Sequence, residues 1–166
     1  MNIDVATEGD IEELTRVEIS SKKQSVPKCF EYHEMHYWSR RSRWQTYFSG
    51  QSPRSSKSER LVLKASDESN QVIGCIAGHL TTRHNFDGEI QSFYVLKEEQ
   101  DRGVGSKLFS EFLKWLIAKE AKTLCVGIKP ANPYNSFYLK YGGQHLNDYW
   151  IFWLDNSVLL KQLNHL

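Results

Sequence analysis

The chain has 166 residues, a formal net charge of +1 and 40% hydrophobic residues, the make-up expected of one soluble globular unit with a full-sized core. The near-zero charge excludes a broad electrostatic footprint for nucleic acid, and no run approaches the roughly 18 apolar residues of a membrane span. The start, Met1-Asn2-Ile3-Asp4-Val5, lacks the basic and apolar blocks of a signal peptide, and the three cysteines, Cys29, Cys75 and Cys125, are widely spaced, so a reduced cytoplasmic setting is expected.

Residues 2–6 alternate as a short strand does. Thr7, with Asp10 three residues on, marks a helix start, and Ile11, Leu14, Val17 and Ile19 hold helical spacing. Pro27 breaks that helix, and a second, aromatic-rich helix is predicted over 32–48. The stretch 50–59, rich in Ser with Gly50 and Pro53, reads as a mobile surface loop too short to link domains. Strands are predicted over 60–65 and 71–82, joined by a turn at 66–70. A third, over 89–96, follows the turn-forming Asn85-Phe86-Asp87-Gly88. From Val104 to about Glu120, Val104, Leu108, Phe112, Trp115 and Leu116 mark the buried face of a long helix. A core strand is predicted over 123–128, then a helix over 134–141 stopped by Gly142-Gly143, an aromatic strand over 150–154 and a frayed terminal turn over 159–166. The order β-α-α-β-β-β-α-β-α-β has antiparallel hairpins in its middle and no internal repeat. It is an α/β pattern, and residues 1–166 read as a single domain.

The most informative stretch is Gln100-Asp101-Arg102-Gly103-Val104-Gly105, between a strand and a helix N-terminus. A basic, glycine-rich turn there converges its N–H groups at the positive end of a helix dipole, which suits a di- or polyphosphate. Two common phosphate motifs fail on the letters. A Walker A loop needs Gly-Lys-Ser/Thr, whereas the order here is Gly105-Ser106-Lys107. A dinucleotide fingerprint needs a small residue three positions after Gly105, where Leu108 stands.

What remains, Q-x-x-G-x-G after Tyr94-Val95-Leu96, resembles the acyl-CoA signature of the GNAT superfamily of N-acyltransferases. Asn132-Pro133-Tyr134-Asn135-Ser136-Phe137-Tyr138, running on to Gly142-Gly143, is similar to a second element of that family. The resemblance covers residues 61–154. It implies a mixed, mostly antiparallel twisted sheet of six to seven strands flanked by about four helices, with a splay between the fourth and fifth strands. It further implies acetyl-CoA as co-substrate, no metal, and transfer to a primary amine. The backbone of Phe93, Tyr94 and Val95 would meet the pantetheine arm. Gln100, Asp101, Arg102, Gly103, Val104, Gly105 and Ser106 would wrap the pyrophosphate, with Lys107 on the solvated face. Asn132 would bond the cofactor arm or, alternatively, form an Asx turn before Pro133.

Two catalytic roles also follow from the resemblance. Tyr138 would protonate the departing thiolate, since a phenol near pKa 10 can donate to it; the alternative is a core tyrosine. Glu89 would be the general base, although a carboxylate is a poor base for an ammonium unless burial raises it; the alternative is an exposed hairpin residue. The acceptor pocket would draw on Phe30, Glu31, Tyr32, His33, His36, Trp38, Trp150 and Trp153, with Glu31 or Glu34 holding a cationic amine and a tryptophan adding a cation–π contact. An aromatic packing seam is the competing reading. Cys29, His33 and His36 resemble half a zinc site, but no second pair completes it, and direct attack by the amine is simpler than a thiol relay through Cys29.

The expected partner is a small-molecule amine, with neither nucleic acid nor membrane, and a homodimer is left open. A protein or peptide amine, a non-catalytic acyl-CoA sensor and a nucleotide-binding regulator are the alternatives.

Overall fold

The computed structural model describes residues 1–25 and 30–165. Its frame is a seven-stranded sheet, formed by β1 (Asn2–Val5), β2 (Ser56–Ser66), β3 (Val72–Thr81), β4 (Gly88–Val95), β5 (Leu124–Gly127), β6 (Gln144–Asn147) and β7 (Trp150–Trp153) in the order β1-β2-β3-β4-β5-β7-β6. All neighbours are antiparallel except β4 and β5.

Helices α1 (Ile11–Gln24) and α2 (Tyr37–Phe48) cover one face. Leu14 and Trp44 pack there with Val62, Cys75 and Ala77. Helices α3 (Val104–Ala118) and α5 (Asn156–His165) cover the other, with Leu108, Phe109, Phe112, Leu159 and Leu163 meeting Ile76, Ile90 and Leu124. The short α4 (Asn135–Lys140) sits beside them, and its residues Phe137 and Tyr138 pack on that second core.

Several boundaries differ from the sequence expectation, each for a physical reason. The stretch 50–59 is not all loop: β2 begins at Ser56. Arg60 pins it by donating to the carbonyls of Tyr47 (2.7 Å) and Ser52 (3.0 Å) and to Ser56 Oγ (3.0 Å). The second helix starts at Tyr37, because Tyr32–Met35 forms a separate 3-10 turn closed by the Glu34 carboxylate accepting from Glu31 N–H at 2.8 Å. The C-terminal turn is a full helix, and β6 was not expected at all.

Two features of β4 position the site. It pairs with β5 only through Gly88↔Leu124, Glu89↔Cys125 and Ile90↔Val126; from Gln91 to Val95 it has no partner on that side, where β5 ends at Gly127. This is the expected splay. The β3–β4 register also slips, from Gly78↔Ile90 to Ala77↔Ser92, so Gln91 is the extra residue of a bulge. The slip turns Glu89, Ser92 and Tyr94 all toward the α1–α2 face, opposite His79, Ala77 and Cys75.

Candidate active site

Two cavities meet at the splay. The larger, about 720 Å³, is bordered by the last turn of α1 (Ser21, Lys22, Ser25), Phe30, β4 (Phe93, Tyr94, Val95), the turn into α3 and α4. The smaller, about 420 Å³, is bordered by Gln91 and Ser92 of the bulge, by Lys129, and by Tyr149 and Trp150. Phe93, Tyr94, Asn132, Asn135 and Tyr138 border both.

The turn into α3 is wound tightly. Asp101 (φ 62°) and Gly103 (φ 80°) are left-handed, and Gly103 caps the helix. The first turn of a helix leaves its N–H groups without partners inside the helix. Gly103, Gly105 and Ser106 place that turn at the wall of the larger cavity. A Cβ on Gly105 would come only to ordinary contact with Phe137 and Phe93, at 3.5 Å and beyond, so protein packing alone does not demand glycine here. Its lack of a side chain leaves the helix end open to the cavity. Gln100 has a bracing role: its side-chain amide donates to the Val95 carbonyl at 3.1 Å and ties the turn to the end of β4. Arg102 is exposed and pairs with Glu99 at 3.5 Å, whereas Val104 is buried and contributes backbone only. Lys107 lies on the solvated face.

Tyr138 is half-buried among the rings of Phe93, Phe137 and Trp153, with centroids 5.7–6.3 Å away. Burial pushes its phenol above the ordinary value, so it remains protonated at neutral pH. Asn132 forms the Asx turn that was one of its two expected roles. Its Oδ1 accepts from Tyr134 N–H at 2.9 Å, the Asx turn, while the residue still borders both cavities.

Glu89 is neither an exposed hairpin residue nor a raised-pKa base. It is 3% exposed and borders neither cavity. Its carboxylate accepts from Arg83 Nε (2.9 Å) and Thr81 Oγ1 (3.1 Å), with His79 Nε2 at 3.5 Å. Burial alone would raise the carboxyl, but His79 and Arg83 outweigh it and hold it below the ordinary value. The same His79 meets the Tyr47 hydroxyl through Nδ1 at 2.9 Å.

The acceptor-pocket residues divide. Trp150 borders the smaller cavity, but its ring already carries the Arg83 guanidinium at 4.9 Å. Phe30 lies in the larger cavity instead, under the Lys22 ammonium at 5.6 Å. Glu31 and His33 border neither cavity and pair with each other at 3.3 Å on the surface. Glu34 is committed to Lys129 at 3.2 Å. Tyr32 and Trp38 are exposed, whereas Trp153 is core. Cys29 lies outside the described residues. Among the described residues no group of three potential metal ligands gathers, and burial raises the thiols of both Cys75 and Cys125, the latter to about 12.

Sequence reasoning missed Lys22 and Asn135. Asn135 borders both cavities and donates to the Lys129 carbonyl at 2.7 Å; its place inside the Asn-Pro-Tyr-Asn run was the available signal. Lys22 pairs with Glu18 at 2.7 Å, an i, i+4 spacing that in a sequence suggests a solvated helix face.

Residues 23–142 match the model of the Acetyltransferase (GNAT) family. The chain is 28% identical over 123 residues to the uncharacterized N-acetyltransferase YuaI of Bacillus subtilis (strain 168), covering 66% of this chain and 71% of that protein. Its fold is similar to the PaiA N-acetyltransferase of Thermoplasma acidophilum in complex with coenzyme A (TM-score 0.68, 19% identity, 92% of this chain and 98% of that one). It is also similar to a GNAT family acetyltransferase of Brucella melitensis in complex with acetyl-CoA (TM-score 0.62, 17% identity, 92% and 86%). With a family match spanning most of the chain, this protein belongs to the GNAT acetyltransferase family.

Proposed function

We propose that residues 1–166 act as one domain that moves an acetyl group from acetyl-CoA to the primary amine of a small molecule, by direct attack in a ternary complex. The observation that supports this most is the meeting of two cavities at the splay, with Tyr138 on the wall of both.

The larger cavity suits the thioester partner. Gly103, Gly105 and Ser106 offer N–H donors for a diphosphate, Val104 holds the helix end in place, Asp101 sets the turn, Gln100 braces it and Arg102 adds charge. The free run of β4 gives the backbone of Phe93, Tyr94 and Val95 to an amide-bearing arm, in the manner of an added strand. Asn132 can add its side-chain N–H₂. Acetyl-CoA supplies the activated acyl group. A backbone N–H of this free run, near Tyr94 or Val95, can face the carbonyl oxygen as it gains charge.

The amine enters by the smaller cavity, past Trp150, Tyr149 and Asn135. Tyr138 holds its proton for the sulfur that leaves. The ion pairs of Glu89 and its depressed carboxyl argue against the base role, so we assign it the holding of Arg83 against Trp150. The amine then loses its proton to solvent in the smaller cavity. The buried, raised thiols of Cys75 and Cys125 agree with attack on the thioester without a cysteine relay.

Tyr138→Phe tests the assignment. CoA release from acetyl-CoA should fall in kcat by about a hundredfold, with CoA affinity by calorimetry unchanged. An unaltered kcat removes Tyr138 from the chemistry, and CoA binding without turnover across a broad amine panel would make the protein a binding module.

A further inference from the structure

We propose that the acceptor carries a carboxylate beside its amine, and that this carboxylate reaches past Tyr94, where the two cavities meet, to Lys22 on the wall of the larger one, with Arg40 behind it. This rests on the acetyltransferase reading above and names the substrate class of the same site.

The charges around the splay are one-sided. The smaller cavity has a single charged lining residue, Lys129. The larger has Lys22, Lys140 and Asp101, and Asp101 belongs to the turn before α3. The carboxylates nearby are engaged: Glu34 by Lys129 at 3.2 Å, Glu89 by Arg83 at 2.9 Å, and Glu18 by Lys22, Arg40 and the Trp44 indole. Of the aromatic side chains lining the smaller cavity, Trp150 is already covered by Arg83. A polyamine or aminoglycoside would therefore meet three lysines against one lining carboxylate, Asp101, among the described residues, an arrangement that selects against it.

The Glu18 cluster adds a positive reason. Glu18 is 1% exposed and answers two cations, Lys22 at 4% and Arg40 at 12% side-chain exposure. One carboxylate between two cations leaves a unit of positive charge with little water around it, and such a charge is costly unless an anion or hydrogen bonds meet it. An ammonium has three donors. Among the described residues, Lys22 gives one to Glu18 at 2.7 Å and a second, at 3.5 Å, to the Glu34 carbonyl. The remaining donor belongs to a side chain that borders the larger cavity, 5.6 Å from the rings of Phe30 and Tyr94. Burial lowers the Lys22 ammonium from its ordinary value and Arg40 adds to that, against the pull of Glu18. A substrate carboxylate would supply the missing negative charge. The same chemistry could instead sit on the acyl chain of a dicarboxylic thioester, and the experiment separates the two.

With acetyl-CoA as donor, kcat/KM is measured for glycine, β-alanine and glutamate against their amides, and for putrescine and spermidine. With a neutral amine, succinyl-CoA is compared with butyryl-CoA. The expected result is a preference for acid over amide of about tenfold to a hundredfold, the reach of one charge-assisted hydrogen bond. Lys22→Met should bring that ratio toward one and Lys22→Arg should keep it. Thermal shifts of the CoA-bound protein with each acid and amide give a readout that needs no turnover, and far-ultraviolet circular dichroism verifies that each variant folds. Acid-selective stabilisation lost in Lys22→Met supports the proposal even if no amine is turned over, an outcome that defeats the acetyltransferase reading alone. A ratio at or below one, a preference for the polyamines, a ratio unmoved in folded Lys22→Met, or a preference confined to succinyl-CoA overturns it.

Discussion

Glu89 shows how a carboxyl can be buried without becoming a better base. It is 3% exposed, and burial alone would lift it, but Arg83 and His79 pull it below its ordinary value of 4.5. A carboxyl depressed in the folded state stabilises the fold above its unfolded value and loses that contribution as pH falls through the folded one. Glu89→Gln should therefore cost about 1–3 kcal/mol at neutral pH, and the gap from the parent should close as pH drops below about 4.5. Urea melts at neutral and acid pH measure this. The kcat of the same variant should stay within about tenfold of the parent; a loss near a thousandfold would restore the general-base role. The sequence placed this glutamate at the foot of β4 but could not reveal its partners, because Thr81, Arg83 and His79 reach it only once β3 and β4 pair. Lys22 was hidden in a similar way. Its spacing from Glu18 is visible in the letters, while the burial of both depends on α1 lying against α2.

At the level of elements, the junction of α4 with β7 is closely packed. A Cβ on Gly143 would stand 2.7 Å from Ile151 Cγ2, 2.8 Å from the Tyr138 carbonyl and 3.0 Å from Trp153. Gly143→Ala should destabilise by about 1–3 kcal/mol through overpacking, read as a lower urea midpoint at unchanged slope, and should disturb the backbone that carries Tyr138. The Tyr-Gly-Gly ending is thus a packing requirement of this strand. The strong elements were legible because they are periodic: α3 and the strands around it carry regular apolar spacing. Two others were not. All four residues of β6 are exposed, so it has no alternation to read and exists by pairing with β7. α5 buries Leu159 and Leu163 but little more of its length. Its start was written in Asp155, whose carboxylate caps the N–H groups of Ser157 (2.9 Å) and Val158 (3.1 Å), a signal passed over.

For the molecule as a whole, the glycine turn before α3 was readable in advance because it is local: left-handed glycine, helix start and preceding strand are contiguous in the chain. The proposed acceptor side was not, Trp150 excepted, since Lys129 and the bulge come together with that tryptophan only when the sheet forms, and the end of α1 is reached only past Tyr94. The splay itself has a thermodynamic corollary. Five residues of β4, Gln91 to Val95, have no neighbour on the β5 side, and under the proposed function the sheet is finished there by a metabolite instead of by polypeptide. Resistance to heat then becomes a gauge of coenzyme supply. At a hundredfold excess over Kd, bound CoA adds about 2.7 kcal/mol, seen as a rising melting temperature, and slows amide exchange along that seam before anywhere else. A seam whose exchange ignores CoA would mean that the gap is closed by something other than the coenzyme.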